Sequence, residues 1–445
     1  MSGTRAGRTV HVLCASPDAP NPGMTSVDLA FDSVAGQSDA DDVTYWRLYD
    51  QSEWREPVGG SSPVGDGAFR DDRTGLVYQN LRGRLDEFLD AGAVVYWGDF
   101  MHMQFYLNAT VDILTKKMGT FADRNSAWDF VYRHLLLRGQ PPGVLDRVLS
   151  YGTTLSFNTP DDYAGEYGTE LSSFLSRVHR VWCRDSYSAL IAQTARGAQD
   201  QVCKGTDAAF LLGGRDDRER SEQVGVFFGR SALAPESLAR LGRSLAGRLD
   251  LKPFWLPWGG EPAFWPVQQR KRFRAAWPGL EHLSSRPTLG MRAATYRSIG
   301  RRTPMPATTA TFAELLEQVA QSRLIITDTY HLAINAWRLG TPVICVVDRP
   351  KSIWSVNSGG VGVRRDKRED LYSQLECTRL LVSADSLPRK IDSVVGPLAG
   401  YLTDERLLGV THERIAQLTA QSRGWVVDTL NSLVARSDAQ TASAV

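Results

Sequence analysis

Three residues of this chain stand where a proton could be moved: His331, Asp99 and His102. Each follows an apolar run that reads as a buried strand, Leu324–Ile326 before the first and Ala93–Tyr96 before the other two. In open α/β sheets ligands gather at the carboxyl ends of the strands, where helix N-termini present N–H groups and the positive end of a dipole. A charged or titratable side chain delivered there faces a ligand. Thr327, Asp328 and Thr329 are good N-cap residues, so His331 falls in the first turn of a helix that ends at Gly340. Pro342 then opens a second β-branched run, Val343–Val347, completing a strand–turn–helix–strand unit. An anion bound beside His331 would favour its imidazolium and make it a general acid that switches on with substrate.

Other candidates are less specific. Asn21 and Gly23 lie in a strand-to-helix loop, where glycine lets a ligand approach the backbone closely or simply makes a turn. Arg184 could grip an anion, whereas Asp185 beside it reads as a helix cap. Phe254, Trp255, Trp258, Phe264 and Trp265 could form a stacking platform; core packing explains Trp255 as well, and Trp258 beside two glycines reads as a loop residue. The loop with Gly359, Gly360, Gly362, Arg364 and Arg365 is weak evidence for an anion-binding flap. The basic cluster Arg270, Lys271, Arg272 and Arg274 reads as a wet helix face.

The elements that must hold these residues alternate. Strands are expected at Thr9–Ala15, Val43–Leu48, Ala93–Tyr96, Thr153–Phe157, Arg180–Cys183 and Ala208–Leu212, with helices at Thr25–Val34 and Leu81–Leu89. The polar run 213–223 is a credible linker, after which alternation resumes at Val224 with a helix near Glu236–Gly247, a strand at 254–258 and a helix at Phe312–Gln321. Leu381–Ser383 reads as a last strand, Asp404–Arg436 as one or two amphipathic helices, and the final nine residues as disordered. The fold class is therefore α/β: two doubly wound, Rossmann-like domains facing each other across a cleft, residues 1–218 and 219–403, with 404–445 as C-terminal helices and tail.

Composition narrows the partners. A chain of 445 residues is too long for one ordinary core. With 51 basic against 50 acidic residues, nothing points to nucleic acid. Five scattered cysteines without paired spacing indicate reduced thiols and argue against zinc. No signal peptide is evident and no apolar run is long enough to span a bilayer, so a cytoplasmic protein without an integral membrane segment is expected. The oligomeric state is left open, a homo-oligomer included.

The stretch from Phe312 to Val347 resembles the signature region of the polysaccharide pyruvyl transferase family, through His331-Leu332, Ala333, Ala336 and Gly340-Thr341-Pro342-Val343-Ile344. Asn21-Pro22-Gly23 resembles the family's early Asn-x-Gly loop, and Gly98-Asp99 stands where it has a glycine-rich turn. Arg184-Asp185 with Ser188 resembles its Arg-Asp-x-x-Ser element, Asp207-Ala208-Ala209-Phe210 its next strand, and Lys367 a lysine beyond the last glycine-rich strand. The resemblance implies a fold similar to glycosyltransferases with two facing Rossmann-like domains, the GT-B arrangement. It also implies transfer of a pyruvyl group from phosphoenolpyruvate to a saccharide or related polyol as a cyclic ketal. No cofactor or metal is required. The partners would be an anionic donor held on the C-terminal side and a saccharide-like acceptor on the N-terminal side. His331 would act as general acid or phosphate ligand, with Asp99 or His102 on the acceptor side. Tyr330 stands where the family carries an arginine, and a tyrosine cannot supply a bidentate positive charge. Another cation must then hold the donor's carboxylate, with Arg184, Arg230, Arg349 and Lys367 as candidates, or the donor differs. The alternatives are a sugar-nucleotide-dependent glycosyltransferase and a non-catalytic binding protein on the same fold.

Overall fold

A computed structural model describes residues 8–16, 22–50, 53, 61–65, 67–99, 101–155, 158, 160–195, 199–214, 220–227, 235–256, 258, 311–347 and 366–443. The chain divides into two compact units, Met1–Gly213 together with Leu418–Val445, and Gly214–Gln417. Asn21, Arg230, Arg349, Phe264, Trp265, the 270–274 cluster and the 357–365 loop lie outside the described residues.

The first unit is built on a nine-stranded sheet. Its strands are β1 (Thr9–Cys14), β2 (Asp42–Arg47), β3 (Ser61–Gly65), β4 (Ala68–Asp71), β5 (Val77–Asn80), β6 (Ala93–Trp97), β7 (Val148–Thr153), β8 (Arg180–Cys183) and β9 (Val202–Lys204). They are ordered β3-β4-β5-β2-β1-β6-β7-β8-β9, and only the β3–β4 and β4–β5 pairs are antiparallel. β6, with the sequence AVVYW, is buried at every position, as a parallel strand covered on both faces should be. Phe88, Tyr96, Leu107 and Phe174 belong to the core on one of those faces.

The second unit carries a five-stranded, all-parallel sheet ordered β11-β10-β12-β13-β14. These are β10 (Ser221–Phe227), β11 (Lys252–Trp255), β12 (Ser322–Thr327), β13 (Val343–Val347) and β14 (Leu381–Ser383). The helix Phe312–Gln321 enters β12 through a Thr311/Glu314 capping box. The helix Tyr330–Arg338 between β12 and β13 is buried along all nine of its residues.

Several expected elements differ. The strand read at 153–157 is Val148–Thr153. Ala208–Leu212 is a 3-10 helix, because the Asp207 carboxylate caps it by accepting from Ala209 N at 3.0 Å. The helix expected from Leu81 begins at Leu85. The C-terminal residues read as disordered continue the helix Glu405–Ser443, and residues from Leu418 onward group with the first unit. Trp258 lies in a turn, as expected for a loop residue, and is buried edge-on to Phe312.

All five cysteines are unpaired; Cys14, Cys183, Cys345 and Cys377 are buried and Cys203 is half-buried. No described helix is long and apolar enough to cross a membrane.

Candidate functional site

Strand order locates one site in each unit. In the first, the parallel strands run β5-β2-β1-β6-β7-β8-β9 across the sheet, so the direction of winding reverses between β1 and β6. In the second it reverses between β10 and β12. Such switch points open a crevice at the strands' carboxyl ends. Asp99 follows β6 and His331 follows β12, so the two residues hold equivalent topological positions.

Asp99 is reached through Gly98, whose φ of +106° suits glycine and where an added Cβ would lie 3.0 Å from Val27 Cγ1. The aspartate is 3% exposed. Its Oδ2 is ion-paired with Arg184 Nη1, while Oδ1 is buried without a hydrogen-bond partner among the described residues. Arg184 Nη2 also donates to Thr154 Oγ1 at 3.2 Å, and Asp185 and Asp207 each stand 3.7 Å from its guanidinium. Asp185 caps the helix Ser186–Thr194 by accepting from Ser188 N at 2.7 Å. Two of the three carboxylates around Arg184 are thus also stabilised by helix N-termini. This corrects one expectation: Arg184 is committed to carboxylates within the fold, so a donor anion would have to displace Asp99 to bind it.

His102 is corrected as well. Its ring is 1% exposed and packed between Tyr96 and Phe174, with centroids 5.4 and 4.5 Å away. Nδ1 lies 3.4 Å from Thr153 Oγ1, and burial pushes the imidazole pKa down to about 3. It is a neutral core histidine enclosed by two aromatic rings. Gly23 lies inside the helix Pro22–Ala35, where its carbonyl accepts from Ser26 Oγ at 2.7 Å, and is not a loop residue.

The second site is built differently. Thr329 has the extended backbone of an N-cap, yet its side chain does not cap the helix; Oγ1 donates instead to Asp328 Oδ1 at 3.2 Å. No acidic residue occupies the first turn of this helix. Its positive dipole end lies at the carboxyl edge of the sheet, with the Asp328 carboxylate just before its N-cap. Tyr330 and His331 are each 6% exposed, with rings edge-on at 5.3 Å. Lys367 Nζ sits over the Tyr330 ring, 4.6 Å from its centroid. The phenol ring neighbours both a cation and an imidazole. Asn335 Nδ2 donates to the His331 carbonyl at 2.8 Å, steadying the first turn.

Lys367 is the first residue of the helix Lys367–Gln374, whose N-cap is Asp366 in a capping box with Glu369. The next residue, Arg368, has no place in the sequence reading. Its Nη1 donates to the carbonyls of Asp328 at 2.8 Å and Val346 at 2.9 Å, and its Nε and Nη2 engage Asp366 at 2.8 and 2.5 Å. Burial alone would lower its pKa, but the Asp366 hydrogen bond and charge outweigh that and hold the pKa above the usual arginine value. The Asp-x-x-Glu spacing was readable as a capping box; the reach of Arg368 to two strand ends was not.

Of the nine residues expected to form a site, the structure joins Tyr330, His331 and Lys367 in one cluster and Asp99 with Arg184 in another. His102 lies in the core between Tyr96 and Phe174, and Gly23 lies in the helix Pro22–Ala35. No group of three His, Cys, Asp or Glu side chains that could hold a metal occurs among the described residues.

Residues 125–349, just over half of the chain, match the model of the family described as polysaccharide pyruvyl transferase. The chain belongs to the polysaccharide pyruvyl transferase family. This family member is accordingly a transferase, and the matched span contains Arg184, Tyr330 and His331, while Asp99 precedes it and Lys367 follows it. No curated protein matches the sequence. Among solved structures, HepE of Anabaena in complex with UDP-glucose is 10% identical, with a TM-score of 0.40 and coverage of 98% of this chain and 100% of that one. The α,α-trehalose 6-phosphate synthase of Burkholderia multivorans is 13% identical, with a TM-score of 0.41 over 98% and 99% of the two chains. The MnaA–UDP complex of S. aureus is 9% identical, with a TM-score of 0.42 over 91% of each. Likeness this distant transfers neither substrate nor activity to the pyruvyl transferase family member.

Proposed function

We propose that this protein transfers a pyruvyl group from phosphoenolpyruvate to a saccharide or related polyol, with the donor bound at the carboxyl ends of β12 and β13. The observation that carries the reading is the Lys367 ammonium over the Tyr330 ring beside His331. Tyr330 lacks the positive charge that a donor carboxylate or phosphate requires, and Lys367 brings one to the same place. The helix Tyr330–Arg338 adds its positive end.

The chemistry assigns each group a task. His331, as the imidazolium, donates a proton to the methylene carbon of the enol, leaving a cation at the neighbouring carbon that the bridging phosphate-ester oxygen shares. A first acceptor hydroxyl adds to that carbon and loses its proton to a base. The C–O bond to phosphate then breaks, and a second hydroxyl closes the ketal. Of the two hydroxyl protons, one replaces the proton taken from His331 and the other leaves with phosphate. Asp99 is the candidate base, with one carboxylate oxygen tied to Arg184 and the other without a hydrogen-bond partner among the described residues. The Arg184 ion pair orients its side chain.

The test is thermal unfolding with and without ligand, followed by assay of phosphate release with candidate saccharides. Stabilisation by phosphoenolpyruvate that disappears in His331→Ala and Lys367→Ala supports the reading. Stabilisation by nucleoside diphosphates but not by phosphoenolpyruvate would assign the site to a sugar-nucleotide-dependent transferase. Binding without turnover on any donor would make it a binding protein.

A further inference from the structure

We propose that Arg368 is the positioning residue of the donor site, a planar clamp that fixes the His331 turn against the helix carrying Lys367. This rests on the reading that the donor binds at the ends of β12 and β13. The β12–β13 ladder has its last paired residues at Thr327 and Cys345. The next residue along each strand is Asp328 and Val346, and Arg368 Nη1 bonds both of their carbonyls, at 2.8 and 2.9 Å. The guanidinium thus continues the ladder one step beyond the point where the strands stop pairing.

On its other edge the same group grips Asp366 through two nitrogens, and Asp366 also accepts from Arg368 N at 2.8 Å as the helix cap. One rigid plane therefore joins the turn that leads to Tyr330 and His331, the end of β13, and the start of the helix whose first residue is Lys367. Four of its hydrogen bonds use the fork geometry of a guanidinium. A lysine ammonium is a point charge with three donors and cannot span both carbonyls and both carboxylate oxygens. Displacing a catalytic group by about 1 Å can cost on the order of a hundredfold in rate.

The test compares Arg368→Lys, Asp366→Asn and His331→Ala in the full chain, with kcat and KM measured for phosphoenolpyruvate and for the acceptor, corrected for folded fraction. Arg368→Lys is expected to lower kcat at least tenfold and raise the phosphoenolpyruvate KM, with the acceptor KM unchanged; Asp366→Asn should show the same split more weakly. Wild-type kinetics in Arg368→Lys overturns the proposal. So does a loss of thermal stability with both KM values and the folded-fraction kcat unchanged, which is what a purely structural arginine gives. If Arg368→Lys does not fold, the Asp366→Asn split decides alone. An active His331→Ala would instead sink the donor-site reading, whereas an inactive His331→Ala beside an unaffected Arg368→Lys would sink only the clamp.

Discussion

After β6 a buried aspartate meets an arginine already shared with two further carboxylates, whereas after β12 a helix begins with no acid in its first turn and a lysine over an aromatic ring nearby. The two places are equivalent in topology, each following a strand at a reversal of winding. Their electrostatics are opposite. The first gathers acids and spends its cation inside the fold, an arrangement that orients a carboxylate toward a proton donor. The second has no acid in the first turn of its helix and sets a lysine over Tyr330, with the Asp328 carboxylate bonded to the N-cap Thr329. A shared scaffold position says where a ligand binds; the charges placed there say which one.

The comparison can be broken most directly at His331. His331→Ala should lower phosphate release by about a thousandfold, within the usual range for a general acid, with no change in unfolding midpoint. An active variant would remove the acid from the second site. Asp99→Asn comes next, with transfer reduced about a hundredfold and stabilisation by phosphoenolpyruvate retained. It should still fold, because Asp185 and Asp207 continue to face the Arg184 guanidinium. Loss of donor binding in this variant would collapse the division of labour between the two sites. Lys367→Ala should weaken phosphoenolpyruvate binding about tenfold, an amount fitting one charge-assisted contact, and Lys367→Arg should recover most of it. Titrating the donor by thermal shift would show whether the cation belongs to the anion site.

A pH dependence sharpens the first unit. His102 has a folded pKa of about 3 against an ordinary 6.5. Between these values the unfolded chain holds a proton that the native state excludes, so stability present above pH 6.5 is lost as the pH falls toward 3. One such proton contributes a slope of roughly 1.4 kcal/mol per pH unit. Denaturant unfolding at several pH values should show that slope flattened in His102→Phe. An unchanged slope would mean that the ring is not the group held neutral by burial.

What could be read in the sequence follows burial and sequence distance. β6, β12 and β13 stood out because parallel strands covered on both faces become unbroken apolar runs. The residues of β3, by contrast, are almost all exposed, so SSPVG gives no hydrophobic signal. Ser150 and Gly152 interrupt the apolar run of β7 and moved its expected position downstream. Asp185 was legible as a cap because its partner Ser188 is three residues away. The pairing of Arg184 with Asp99 spans 85 residues and leaves no local trace. His102 looked functional because it follows a buried strand, but Tyr96 and Phe174 close over it, an arrangement only the packed core defines.

The buried cysteines provide a way to watch each unit separately. Burial raises the thiol pKa of Cys14 and Cys183 in the first unit and of Cys345 and Cys377 in the second, so the reactive thiolate is suppressed in the native state. In a brief pulse of alkylating reagent along a denaturant series, each of the four should take up label only as its own unit opens. Mass spectrometry of the peptides around Cys14 and Cys345 would then report two unfolding midpoints from one unmodified chain, and any gap between them would measure how independently the two units melt.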